Sequence, residues 1–189
     1  MTITIAGSVA SGKSTLARML AEALNLPHYN FDLIYRAIAV VSNGNLDSVI
    51  PLINSGKLQI QCGEILFCNI ILTAHLRNEY FGLLAAQLAR YYSKEMAYIA
   101  KFMVAHESFV CDGRMCGTEI YPNADYKFYI KADKRSRFQR RFIYEEDLRV
   151  LARREKIDQD SLIVPEQAIV ISTTGKTEEE SLQELLSFL

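Results

Sequence analysis

Residues 7–14 read Gly-Ser-Val-Ala-Ser-Gly-Lys-Ser, an instance of G-x-x-x-x-G-K-[ST], and they stand between two segments of opposite periodicity. Residues 2–6 form a short alternating, β-rich run, whereas Leu16, Met19, Leu20, Ala23 and Leu24 mark a helical stripe across residues 13–24. Strand, glycine-framed loop and helix, in that order, is the context in which this motif holds phosphate. Gly7 and Gly12 free the backbone to turn the N–H groups around Ser8, Ala10, Ser11 and Thr15 toward an anion. Lys13 adds a point charge beside the β and γ oxygens, and Ser14 offers a hydroxyl to Mg²⁺. A chain that opens this way builds a buried strand with a helix packed behind it, which favours a parallel α/β sheet.

The remainder continues the alternation. Residues 28–30 read as a brief strand and 33–41 as a helix that Asn43-Gly44-Asn45 ends. Leu58, Ile60 and Cys62 alternate with polar neighbours, Gly63-Glu64 turns the chain, and residues 65–67 return it, a small β insertion within residues 56–80. Residues 75–106, rich in Leu, Ala, Tyr and Met and free of proline, predict two consecutive helices with a break near Tyr92-Ser93. Tyr91, Tyr92 and Tyr98 are expected to pack between helices. Residues 109–112 and 126–130 predict short buried strands, 134–155 a charged helix, 168–172 a last strand and 178–188 a last helix. The whole reads as one α/β domain over residues 1–189, its parallel sheet covered on both faces.

Composition bears on partners more than on fold. Half of the 189 residues are hydrophobic, and 21 Lys and Arg nearly cancel 22 Asp and Glu. With no global field, neither nucleic acid nor an anionic membrane is an expected partner, and an anion must meet a local patch. The longest strongly apolar run, 65–74, contains Asn69 and is half the ~20 residues that span a bilayer. No basic residue precedes the first apolar run, unlike a secretory signal, and a cytoplasmic protein is expected; a monomer is expected as well. Cys62, Cys68, Cys111 and Cys116 lack the spacing of a zinc knuckle or a redox pair and read as reduced, mostly buried thiols. His28, His75 and His106 are scattered, with no Cys or carboxylate at ligand spacing.

Positive charge concentrates in one place. Residues 127–141 hold seven Lys or Arg against the single acid Asp133, and Arg137, Arg140 and Arg141 share one helical face. Phosphoryl transfer spreads negative charge over the migrating group, so guanidiniums converging beside a phosphate loop serve it; without such a loop the run reads as a solvated basic face. Cys111-Asp112-Gly113-Arg114 follows the apolar pair Phe109-Val110, which sets its polar residues at the carboxyl end of a strand, where open α/β sheets bind ligands. There Asp112 is placed to hold Mg²⁺ through water and Arg114 an acceptor phosphate, a plain strand-end turn being the alternative.

These residues, extended by Gly117-Thr118, Tyr121-Pro122, Ala124-Asp125 and 127–130, resemble the bacterial cytidylate kinase family. The phosphate loop, Ile34-Tyr35-Arg36, Leu76-Arg77, Arg140-Arg141 and Val164-Pro165 fall in the same order, so the resemblance covers nearly the whole chain. It implies the three-layer α/β fold of nucleoside monophosphate kinases, with a parallel central sheet, a small nucleotide-binding insertion and an Arg-bearing lid over residues 133–147. It implies transfer of the γ-phosphoryl of MgATP to CMP, dCMP or a related nucleotide, with Lys13, Arg114, Arg137, Arg140 and Arg141 serving catalysis. By the same resemblance Arg36 and Arg114 would hold the acceptor phosphate and Arg77 would reach it from the insertion. Arg154 and Asp158 would contact the ribose, and Thr173 and Thr174 fall where the adenine-side loop lies.

The chain departs from the family pattern where the base is read. Met115 stands in place of an Asp, Glu95 in place of an Arg and Ala86 in place of a Ser, while Phe31-Asp32 replaces a small Ser-Gly pair. A site that loses polar readers is expected to relax or change its base preference. Asp32, four residues before Arg36, reads either as a base for a hydroxyl-bearing metabolite or as the cap of a helix starting at Leu33. A regulatory ATP-binding module without transfer activity is the remaining alternative.

Overall fold

A strand buried on both faces needs apolar residues at successive positions. In the computed structural model every residue of the first strand from Ile3 onward is buried. The structure describes residues 1–61, 63–143 and 163–189, with only the backbone of 141–143. In chain order its elements are β1 (Thr2–Gly7), α1 (Lys13–Ala23), β2 (His28–Asn30), α2 (Phe31–Ser42), α3 (Val49–Asn54), β3 (Leu58–Gln61), β4 (Glu64–Phe67) and β5 (Ile70–Ile71). There follow α4 (Thr73–Leu76), α5 (Glu79–Phe102), β6 (Phe109–Asp112), β7 (Tyr126–Lys131), α6 (Lys134–Ile143), β8 (Ile169–Ser172) and α7 (Glu178–Leu186). The chain divides into two compact units, Met1–His28 with Glu107–Leu189, and Tyr29–His106.

The central sheet has the strand order β2-β6-β1-β7-β8, and β6, β1, β7 and β8 all belong to the first unit. β1 runs parallel to β6, with Ile5 beside Asp112, and parallel to β7, with Gly7 beside Ile130; β7 and β8 are also parallel. Their carboxyl ends therefore point one way. α1 packs on β6 and against α7, and Ile3, Ile5, Leu16, Leu20, Val110, Phe128, Ile130, Ile171 and Leu185 close into one buried cluster. After β6 a wide turn over Cys116–Ile120 closes with the Tyr121 N–H on the Cys116 carbonyl, 2.8 Å. Asp125 accepts from the Thr2 N–H at 2.7 Å, which ties the approach to β7 onto the start of β1.

In the second unit α2 packs along α5. The β insertion expected there is present, with β3 and β4 antiparallel about Gly63, but it carries a third strand. Phe67 pairs with Ile70 across Cys68 and Asn69, both left-handed at φ +49° and +65°, the backbone of a tight two-residue hairpin. The break expected near Tyr92 occurs: Tyr92 has φ −132° and ψ +39° inside α5.

Two local expectations are corrected. α2 begins at Phe31, not Leu33, and its cap is Asn30, whose side chain accepts from the Leu33 N–H at 2.9 Å; Asp32 lies in the first turn instead. Tyr91, Tyr92 and Tyr98 do not pack between helices but are exposed, at 77%, 47% and 58%. Cys111 and Cys116 are buried free thiols as expected, whereas Cys68, at the hairpin tip, is exposed. The charged helix is described to Ile143 only; Cys62, Arg154, Asp158 and the later part of the expected lid lie outside the described residues.

Phe128 is wholly buried in β7, between β1 and β8. Replacing it with alanine should cost about 3–5 kcal/mol in urea unfolding, with the midpoint falling and the slope unchanged.

Candidate active site

β1 delivers Gly7 to a position where a side chain has no room: a Cβ there would lie 2.3 Å from the Ile130 carbonyl oxygen, in a backbone at φ +154°. The loop then turns through Ala10 at φ +60° and Gly12 at φ +92°, and Gly12 caps α1 without a side-chain hydrogen bond. Such an N-terminus presents backbone N–H groups and the positive end of the helix dipole to whatever lies in the loop. Lys13 and Ser14 open α1, half-buried, with Thr15 behind them.

The loop's carbonyls are held from the other side. Arg140 Nη1 donates to the carbonyls of Ser11 at 3.1 Å and Ala10 at 3.4 Å, and Arg137 Nη1 donates to that of Val9 at 3.3 Å. Thr173, at the end of β8, is 3% exposed and donates its hydroxyl to the Ser11 carbonyl at 2.9 Å. Arg140 in turn reaches the Thr173 hydroxyl at 3.1 Å and carbonyl at 2.9 Å. Thr174 Oγ1 accepts from the Asp133 N–H at 2.9 Å, the residue that starts α6. The basic face expected on α6 thus does not stand free in solvent: two of its arginines converge on the phosphate loop, while the side chain of Arg141 lies outside the described residues.

Asp112, the last residue of β6, is fully buried beside the loop. Its Oδ2 accepts from Ser14 Oγ at 2.5 Å and its Oδ1 lies 2.8 Å from His28 Nε2. A hydroxyl and a carboxylate this close are the hard oxygen donors that Mg²⁺ selects, so the residues present fit that ion. No group of three or more His, Cys, Asp or Glu able to hold a metal exists among the described residues. The His28 contact was not foreseen from the sequence, in which 84 residues separate it from Asp112. Arg114 follows, half-buried, in the turn after β6.

The expected acceptor residues Arg36 and Arg77 belong to the second unit. Arg36, on α2, donates from Nη1 to the carbonyls of Leu76 at 2.8 Å and Asn78 at 3.4 Å, the residues flanking the exposed Arg77. Gly82 makes room for that guanidinium, because a Cβ there would lie 3.0 Å from Arg36 Nη2. Arg36 and the turn carrying Arg77 are therefore one braced piece. Ala86 is half-buried and Glu95 exposed on α5, and Met115 begins the wide turn after β6, accepting from the N–H groups of Glu119 and Ile120 through its carbonyl.

A parallel sheet, a glycine-framed loop leading into α1, and a buried carboxylate from the neighbouring strand on the loop's serine define a phosphate-loop fold, and the family whose model it matches makes it a kinase, an ATP-dependent phosphotransferase. The family model for cytidylate kinase matches residues 3–189, and the chain belongs to that family. A cytidylate kinase of Lawsonia intracellularis is 32% identical over 99% of this chain and 94% of its own length. One of Aquifex aeolicus is 30% identical over 100% and 96%. The fold is shared with the crystal structure of TT1252 from Thermus thermophilus, with a TM-score of 0.56 at 14% identity over 100% of this chain and 95% of that one. No helix among the described residues is long and apolar enough to cross a membrane.

Asp133 starts α6 as its cap, accepting from the Ser136 N–H at 2.7 Å and the Ser136 hydroxyl at 3.0 Å. The Ser136 N–H, foremost, holds the carboxyl below its ordinary 3.8. A depressed carboxyl contributes stability that is present above pH 3.8 and is lost as pH falls through the lower native value. Asp133→Ala should therefore melt earlier than the parent at neutral pH, and the gap should close on acidification below pH 3.8, as followed by circular dichroism.

Proposed function

We propose that the protein transfers the γ-phosphoryl of ATP to CMP, dCMP or a related nucleoside monophosphate. The observation that carries this reading is the family match over residues 3–189 together with the loop serine bonded to the buried Asp112. The N–H groups of residues 7–15 and Lys13 take the donor phosphates, and Ser14 and Asp112 would hold Mg²⁺, which would supply charge neutralisation beside the transferred phosphate. Arg137 and Arg140 fix the loop by its carbonyls and so keep its N–H groups turned toward the phosphates, with their positive charge behind them. Lys13, Arg114 and Arg141 stabilise the migrating group. Arg36, Arg77 and Arg114 take the acceptor phosphate, Arg154 and Asp158 the ribose, and Thr173 and Thr174 flank the adenine.

The acceptor base is read with fewer polar groups than the family pattern supplies, because Met115, Glu95 and Ala86 stand where polar readers are expected. Exposure of Glu95 supports a broadened preference, since a solvated side chain discriminates weakly. A coupled ADP-release assay with MgATP against CMP, dCMP, UMP, AMP and GMP tests this directly. CMP and dCMP should turn over, with at least one other monophosphate detectable, and Lys13→Ala should fall by about 10²–10³-fold. Absence of turnover with all five, while ATP still binds, would overturn the proposal.

A further inference from the structure

Asp112 carries two contacts of different kinds. The Ser14 hydroxyl comes from the phosphate loop, but the imidazole of His28 comes from the start of β2, outside any element expected to touch phosphate. The Asp112 side chain is wholly buried, whereas that of His28 keeps 23% of its surface exposed. The core demand at this end of β2 is met by the next residue, Tyr29, which is 4% exposed. Packing therefore gives no reason for an imidazole at position 28; its polar tip does.

An ionised carboxylate only accepts, so the contact at 2.8 Å requires the His28 proton on Nε2. A donor of this kind fixes the rotation of the carboxylate. A lysine or arginine in the same place would set a fixed positive charge against a divalent cation, whereas an imidazole can make this contact through a single ring N–H. We propose that His28 is a positioning residue for Asp112, orienting that carboxylate for Mg²⁺ bound with the nucleotide. The inference rests on the phosphoryl-transfer reading above.

The test is the Mg²⁺ dependence of ATP binding, measured by calorimetry in the wild type, His28→Phe and His28→Gln, each checked for fold by its melting curve. Phe keeps a ring without a donor, and Gln can return an amide N–H near the place of Nε2. The expected result is a Mg²⁺ half-saturation raised about tenfold in His28→Phe, an unchanged affinity for Mg²⁺-free ATP, and recovery in His28→Gln. Unchanged Mg²⁺ dependence in His28→Phe overturns the inference, as does an equal loss in His28→Gln or a loss of Mg²⁺-free ATP affinity. If the wild type itself binds ATP without any Mg²⁺ dependence, the proposed metal site fails and the role of His28 fails with it. Should His28→Phe not fold, nitrogen-15 spectra of the wild type decide the point. The His28 imidazole should be protonated at Nε2 and its signal should move when Mg²⁺ joins bound ATP; a proton on Nδ1, or an unmoved signal, overturns the inference.

Discussion

A loop that turns its N–H groups inward around an anion turns its carbonyls outward, and those carbonyls need donors of their own. Here the donors are guanidiniums and a buried hydroxyl: Arg137 on Val9, Arg140 on Ala10 and Ser11, and Thr173 on Ser11. Hydrogen bonds from a charged donor are roughly twice as strong as neutral ones, so this rear face is the stiff part of the loop. Much else follows from the need to bring these groups there. Thr173 directly follows β8, α6 carries both arginines, and Asp133 and Thr174 lock the start of α6 to the end of β8.

The sheet explains why groups far apart in sequence share the site. β6 and β7 flank β1, so Asp112, beside Ile5, and Ile130, beside Gly7, lie on either side of the end of β1. The glycine is needed because the neighbouring backbone leaves no room for a Cβ. On the other side, Asp112 reaches Ser14, the second residue of α1, across 98 residues of chain. Parallel packing with all carboxyl ends on one edge makes that meeting a property of topology rather than of any local signal.

What the sequence made legible was what is local or periodic. The loop motif, the flanking strand and helix, the parallel order, the β insertion and the break at Tyr92 all follow from spacing within short windows. β5 was missed because its turn is Cys68-Asn69, without the glycine that marks most tight hairpins, although both residues adopt the left-handed backbone. The cap of α2 was misplaced because Asp32 and Asn30 are both good capping residues, and only the structure shows which one reaches the Leu33 N–H. The tyrosines of α5 were misread because aromatic content does not say which side of a helix meets a neighbour. Of the site, the loop, Asp112 and the arginines of α6 were named from sequence; the contact of His28 and the clasp of Arg140 on Thr173 were not, since both depend on chain segments brought together only by folding.

The break at Tyr92 divides α5 into two segments with separate buried stripes, Ala85 before it and Met96, Ala97, Ile99 and Ala100 after it. In an unbroken helix one residue gained or lost rotates everything beyond it by about 100°, which would carry the second stripe into solvent. At an interrupted turn the angular phase is reset, so each segment keeps its own facing. Position 92 is accordingly the place along this helix where chain length can drift between relatives at least cost to either stripe.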